Sequence, residues 1–139
     1  MSGPSFTHVA LHVPDMDAAV AFFADYCKLQ PVHTRGEGPN RVVWLAEPGR
    51  EKVLVFVLIP GGDYQPQGED DFGHLGFALA SKQAVDDVAA KARAEGRLAW
   101  EPRQHSFPVG YYCAVQGPDG RAVEFSYGQP LGPDSPDLT

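Results

Sequence analysis

A chain of 139 residues with 43% hydrophobic and 21% charged side chains has the size and make-up of one ordinary globular domain, which excludes a multi-domain machine and disorder along the whole length. Eleven Lys and Arg stand against eighteen Asp and Glu, a formal charge of −7, so the average field repels phosphate backbones and acidic membranes, and nucleic acid is not an expected partner. Two cysteines, Cys27 and Cys113, are too few for a disulfide framework and read as buried thiols of a reducing compartment.

The first residues have neither a basic start nor an apolar stretch. The longest apolar run, Val53 to Ile59, is far short of a membrane span, and the expectation is a soluble, cytoplasmic protein. From Phe6 to Val13, Val9, Leu11 and Val13 alternate with His8, Ala10 and His12, as on the two faces of a strand. Pro14-Asp15-Met16-Asp17 offers N-caps for a helix over Ala18 to Leu29. His33 to Asn40 reads as a loop or irregular edge, with an extra strand near Val32 in question, and Arg41 to Ala46 reads as a strand. After the Glu47-Pro48-Gly49-Arg50 turn, Lys52 to Ile59 is so uniformly apolar that it predicts a strand buried on both faces. Residues 61–71 are a linker of breakers and acids. Then come a strand over Phe72 to Leu79, Ser81 as N-cap, a helix from about Lys82 to Glu95 ended by Gly96, and strands Tyr111 to Gln116 and Ala122 to Tyr127. His105 falls in what reads as a loop, and the tail 129–139 reads as frayed or draped on the surface.

The halves repeat. An offset of 66 pairs Phe6 with Phe72, His8 with His74, Leu11 with Phe77 and Ala18 with Ala84, while the Pro48 and Pro118 turns give an offset of 70 that sets Leu54 opposite Glu124. Module one over 6–60 and module two over 72–128 are then copies that must pair, with the site in the cleft between them. If each contributes its first and last strands, His8, Leu54, His74 and Glu124 converge. Two imidazoles and a carboxylate form the ligand set of an open-faced site for one divalent metal ion, Fe(II), Mn(II), Ni(II) or Zn(II). Such a site polarises a bidentate oxygen substrate and needs a proton carrier. His12 is the first candidate because a strand sets it on the same face as His8, with His105, Tyr112 and Glu124 itself behind it. Small Ala10, Gly76 and Ala78 leave room for a ligand, and Trp44, Phe56 and Tyr112 are candidates for the pocket wall beside apolar Leu54.

With these residues in place, the chain resembles the vicinal oxygen chelate superfamily, which includes glyoxalase I, fosfomycin-resistance transferases, extradiol dioxygenases and bleomycin-resistance binding proteins. The resemblance rests on Thr7-His8-Val9-Ala10-Leu11 with Asp15, on Gly73-His74-Leu75-Gly76-Phe77, and on Pro118 to Phe125, and covers the chain from about Phe6 to Gly128. It implies an α+β fold of two paired βαβββ modules curled into a cup-shaped mixed sheet around a metal held by His8, His74 and Glu124. It also implies a homodimer and a small oxygen-chelating substrate, with lyase or isomerase chemistry preferred. The glutamate that moves the proton in glyoxalase I has Leu54 at its place, and the extradiol tyrosine ten residues before the ligand glutamate has Ala114, so ordinary glyoxalase I chemistry and ring cleavage are each disfavoured. A fosfomycin-type thiol transferase is a further alternative, its cationic cluster unplaced. The rival in another class is a bleomycin-resistance-like, metal-free antibiotic-binding dimer that holds a flat ligand among Trp44, Tyr112 and Phe107.

Overall fold

The computed structural model describes residues 2–133 and 135. The chain divides into two compact units, Met1–Gln65 and Pro66–Thr139, with the boundary inside the stretch 61–71.

In the first unit the elements are β1 (His8–Val13), α1 (Met16–Cys27), β2 (Gln30–Arg35), β3 (Val42–Ala46) and β4 (Val55–Pro60), in an open sheet of order β1-β4-β3-β2. β1 and β4 run parallel, and the other pairs are antiparallel. The helix begins where Asp15 accepts the backbone N–H of Ala18 at 3.0 Å, and ends where Lys28 takes a left-handed conformation with φ 58°. One face of α1 buries Met16, Ala19, Phe22, Phe23 and Tyr26, and Phe23 stacks on Phe56 of β4 with ring centroids 6.0 Å apart. Leu11, Val13, Val43, Leu45 and Leu58 complete this core, each large side chain contributing about 1.5–3 kcal/mol by leaving water.

β4 is not buried on both faces as its composition suggests. Phe56 and Leu58 are buried, whereas Val55, Val57 and Ile59 are only partly covered, because α1 shields one side of the sheet. His33 lies in β2 rather than in a loop. All six β2 residues are exposed, so an edge strand covered on neither face leaves no alternation to read.

The second unit repeats the plan with β5 (His74–Ala78), α2 (Lys82–Ala94), β6 (Leu98–His105), β7 (Gly110–Gln116) and β8 (Ala122–Tyr127), in the order β5-β8-β7-β6. Ser81 caps α2 by accepting from the Ala84 N–H at 3.0 Å, and Val85, Ala89 and Ala92 bury the stripe above Cys113, Val115, Val123 and Phe125. β6 has no counterpart in the residue-by-residue sequence reading, and it places His105 at a strand end rather than in a loop. It is an edge strand carrying Pro102, charges and two register shifts, features that blur a period of two. Each unit is therefore β-α-β-β-β, an α+β arrangement of two four-stranded mixed sheets.

The register corrects one equivalence. His8 pairs with Val55 and Ala10 with Val57 across β1 and β4, while His74 pairs with Ala122 and Gly76 with Glu124 across β5 and β8. The counterpart of Glu124 is thus Val57, not Leu54. The connection before β4 spans 47–54 and that before β8 spans 117–121, so the first turn is three residues longer and shifts the offset beyond the prolines. Of the tail, residues 134 and 136–139 lie outside the described residues. Gln129 and Gly132 rest on the second sheet, Gln129 against Glu124 and Gly132 3.8 Å, measured from an added Cβ, from Ala78.

Candidate functional site

His74 and Gly76 project to the face of the second sheet that α2 does not cover, because Leu75 and Phe77 take the other face. Glu124, paired with Gly76 on one side and Ala114 on the other, points to that same open face and is buried nonetheless, with 6% of its surface accessible. A Cβ at Gly76 would stand 3.5 Å from the Glu124 Oε2, so glycine leaves the space over the carboxylate clear.

The ring of His74 is held in one tautomer. Its Nδ1 lies 2.7 Å from the carbonyl of Phe72, and a carbonyl only accepts, so Nδ1 carries the proton and the neutral ring has a bare Nε2. That Nε2 faces Glu124 Oε2 at 3.6 Å. Two acceptors opposed in this way attract a cation or a ring proton. Their span is close to the roughly 3.4 Å between two ligands each about 2.1 Å from a tetrahedral ion. The donor set suits a borderline divalent metal, with imidazole and carboxylate both contributing.

Neighbouring residues fix this pair. Trp100 of β6 meets the His74 ring edge-on at 5.5 Å, and Tyr112 of β7 meets Trp100 at 6.3 Å. Tyr112 shares a 3.2 Å hydrogen bond with Nε2 of His105. Gln129 donates to Glu124 Oε2 at 3.4 Å, and Gln67 donates to the Gly73 carbonyl at 2.6 Å while accepting from the Ala122 N–H at 2.5 Å. Gln67 therefore staples the start of β5 to the start of β8, so part of the supposed linker belongs to the second unit. Trp100, Gln67 and Gln129 carry no sequence signal of their own, since each acts only through strands that the fold brings alongside.

In the first unit, His8 is exposed on the open face of β1 and its Nδ1 is 2.9 Å from the Thr7 hydroxyl oxygen. A cavity of about 700 Å³ lies over that face, lined by His8, Ala10, Trp44 and Val57 together with Arg35 and Lys52. Ala10 and Trp44 line this cavity, Leu54 precedes β4 outside the lining, and Phe56 faces α1. Val57 takes the place expected of Leu54. His12 shares the His8 face but not the cavity lining, and its Nδ1–H donates to the Pro60 carbonyl at 3.3 Å. Gly62, with φ 78°, packs against it so closely that a Cβ would come within 3.2 Å of the His12 Cβ. Among the described residues, no three His, Cys, Asp or Glu side chains of one chain stand together as a metal requires; His74 and Glu124 supply two.

Burial disfavours the thiolate form of both cysteines. Burial pushes the Cys27 thiol far up, and the Cys113 thiol is pushed up to about 12, first by burial and then by Asp86, Glu124 and Glu101. Both are free.

The sequence matches the Glyoxalase/Bleomycin resistance protein/Dioxygenase superfamily over residues 5–125. It is 52% identical over 132 residues to a Pseudomonas aeruginosa protein bearing the name Uncharacterized protein PA2024, a match covering 95% of this chain and 94% of the relative. Among solved structures, the fosfomycin resistance protein FosX of Listeria monocytogenes, complexed with Mn(II) and sulfate, is similar with a TM-score of 0.69 at 19% identity, over 93% of this chain and 92% of that one. TnmS3, an antibiotic binding protein of Streptomyces sp. CB03234, is similar with a TM-score of 0.63 at 18% identity, over 93% and 99%. At these identities the structural likeness speaks for the fold alone. The extent of the family match and the two open βαβββ sheets lead to one conclusion: this chain belongs to the glyoxalase/bleomycin resistance protein/dioxygenase superfamily, the vicinal oxygen chelate group.

Proposed function

We propose that this protein is a metal-dependent enzyme of the lyase or isomerase type acting on a small oxygen-chelating substrate, working in the cytoplasm as a homodimer. One divalent ion, Fe(II), Mn(II), Ni(II) or Zn(II), is held by His8, His74 and Glu124. The observation that supports this most is the bare His74 Nε2 opposed at 3.6 Å to the buried Glu124 carboxyl, which has no Lys or Arg partner among the described residues. When bound, such an ion polarises a chelating substrate and acidifies an adjacent C–H, hydroxyl or water.

The chain's own groups do the rest. Phe72 fixes the His74 tautomer through its carbonyl, and Trp100 keeps the ring from swinging. Gln129 donates to Glu124 Oε2 and so orients the carboxylate, which acts as ligand and, on partial release, as base. His12, its Nδ1 engaged by Pro60, offers a bare Nε2 as proton carrier. It stands about 13 Å along β1 from His8, which suits a substrate extended along the strand. Ala10 and Gly76 leave room, and Trp44, Val57 and Tyr112 supply apolar contact.

The test is elemental analysis of the purified protein, with Fe(II), Mn(II), Ni(II) and Zn(II) screened for activity on α-hydroxy ketones, catechols and epoxides. About one metal per chain and turnover of one class are expected; protein that binds none of these ions overturns the proposal. Ring cleavage of a catechol and thiol transfer to an epoxide are further outcomes within the same metal scheme. A second reading, a metal-free antibiotic-binding protein, is favoured by the apolar cavity beside Trp44.

A further inference from the structure

Arg35, at the end of β2, and Lys52, just before β4, share the lining of the first unit's cavity. Most of the other cations have an acidic partner, among them Arg41 with Asp17 at 2.8 Å, Arg50 with Glu47 at 3.1 Å, Lys91 with Glu95 at 2.8 Å, and Arg93 with Glu101 at 2.5 Å, while Arg103, which has none among the described residues, lies away from this cavity on β6. Arg35 and Lys52 have no ion-pair or hydrogen-bond partner among the described residues. The carboxylate on the lining, Glu51, is turned to the backbone N–H of Gly49 at 3.0 Å instead. In a chain with a formal charge of −7, two unmatched cations at one apolar cavity set positive potential where the average field is negative. Much of the remaining lining is apolar: Val55, Val57 and Ile59 on β4, and Val42 with Trp44 on β3.

We infer that this cavity takes an anionic small molecule, with an aromatic or branched apolar body lying on Trp44 and Val57 and a carboxylate-type oxyanion between Arg35 and Lys52. Arg35 offers a planar fork that matches an oxyanion, and Lys52 offers a point charge on a flexible stem. A volume of about 700 Å³ admits a body of two or more rings. The inference rests on the proposed function only in making this molecule the substrate, since the cations and walls belong to the first unit and need no metal.

The test titrates EDTA-treated protein with 2-naphthoate and, separately, with its neutral isostere 2-naphthamide. Calorimetry gives the affinities, and the Trp44 indole N–H is followed by ¹H–¹⁵N NMR. Naphthoate is expected to bind at least tenfold more tightly and to shift Trp44. R35Q and K52Q each weaken naphthoate several-fold, and the double variant erases its preference while leaving the amide's affinity unchanged. Equal affinity for acid and amide, a preference that survives the double substitution, or no binding of either probe overturns the inference. Metal content is read separately by elemental analysis, so a protein that binds metal but ignores the charge sinks this inference alone, and one that selects the acid but binds no metal sinks the enzyme proposal alone.

Discussion

Replacing Glu124 with glutamine tests the metal centre because it changes stability in opposite directions with and without the ion. The substitution keeps the side-chain volume in a position with 6% accessibility, so no cavity opens. Without metal, the new amide N–H can donate to the bare His74 Nε2 once Gln129, which donates to that position in the native protein, turns its amide over to accept, and two opposed acceptors become a hydrogen bond that contributes about 1 kcal/mol. With metal, the native protein gains about 2.7 kcal/mol at a hundredfold excess over Kd, while the variant loses a charged ligand and most of that gain. In a chain of this length about 1 kcal/mol moves Tm by roughly 3–4 °C. The native protein should therefore rise by about 10 °C when Mn(II) replaces EDTA in differential scanning fluorimetry. Glu124→Gln should start a few degrees higher in EDTA and rise by under about 3 °C. A variant that rises with Mn(II) as far as the native protein, or a native protein that does not rise, refutes the argument from opposed acceptors.

A chain carrying H8A mixed with one carrying E124Q should, after refolding together, recover up to about a quarter of native metal-dependent activity if each metal is shared across a dimer, and none if each site is built from one chain. Recovery is read against either variant alone. Gly110 has φ 78°, and a Cβ there would come 2.5 Å from the Tyr127 carbonyl oxygen, so Gly110→Ala should cost on the order of 2 kcal/mol or more in urea unfolding; a neutral result contradicts the close approach of β7 to the end of β8. With its thiol pushed up to about 12, Cys113 should be alkylated by iodoacetamide at pH 8 at least a hundredfold more slowly in the folded protein than in urea, a gap that closes as pH rises toward that value. Equal rates would mean that β7 opens readily. Leu58→Ala, at a fully buried position of β4, should destabilise by about 2–5 kcal/mol; a loss below about 1 kcal/mol would show that the first core is loosely packed.

Much of the fold is written in local pattern. Alternation in β1 and β5 assigns His8 and His74 to the face opposite Leu11 and Phe77, and the caps at Asp15 and Ser81 place both helices, because strand period and capping are properties of a few adjacent residues. The repeat of the histidines and the break that Glu124 makes in an apolar strand likewise need only the sequence. What the chain order alone could not supply is register and cover. Val57 rather than Leu54 matches Glu124 because a turn three residues longer shifts the strand, and a turn's length has no trace in its prolines. Edge strand β2 shows in the sequence only as an extra strand near Val32, and β6 is hidden altogether, because neither face of either is consistently buried, and with β6 goes Trp100, the neighbour of His74. The tautomer of that ring, the Gln67 staple and the unmatched charges of Arg35 and Lys52 depend on groups distant in sequence meeting or failing to meet, and only tertiary packing decides that.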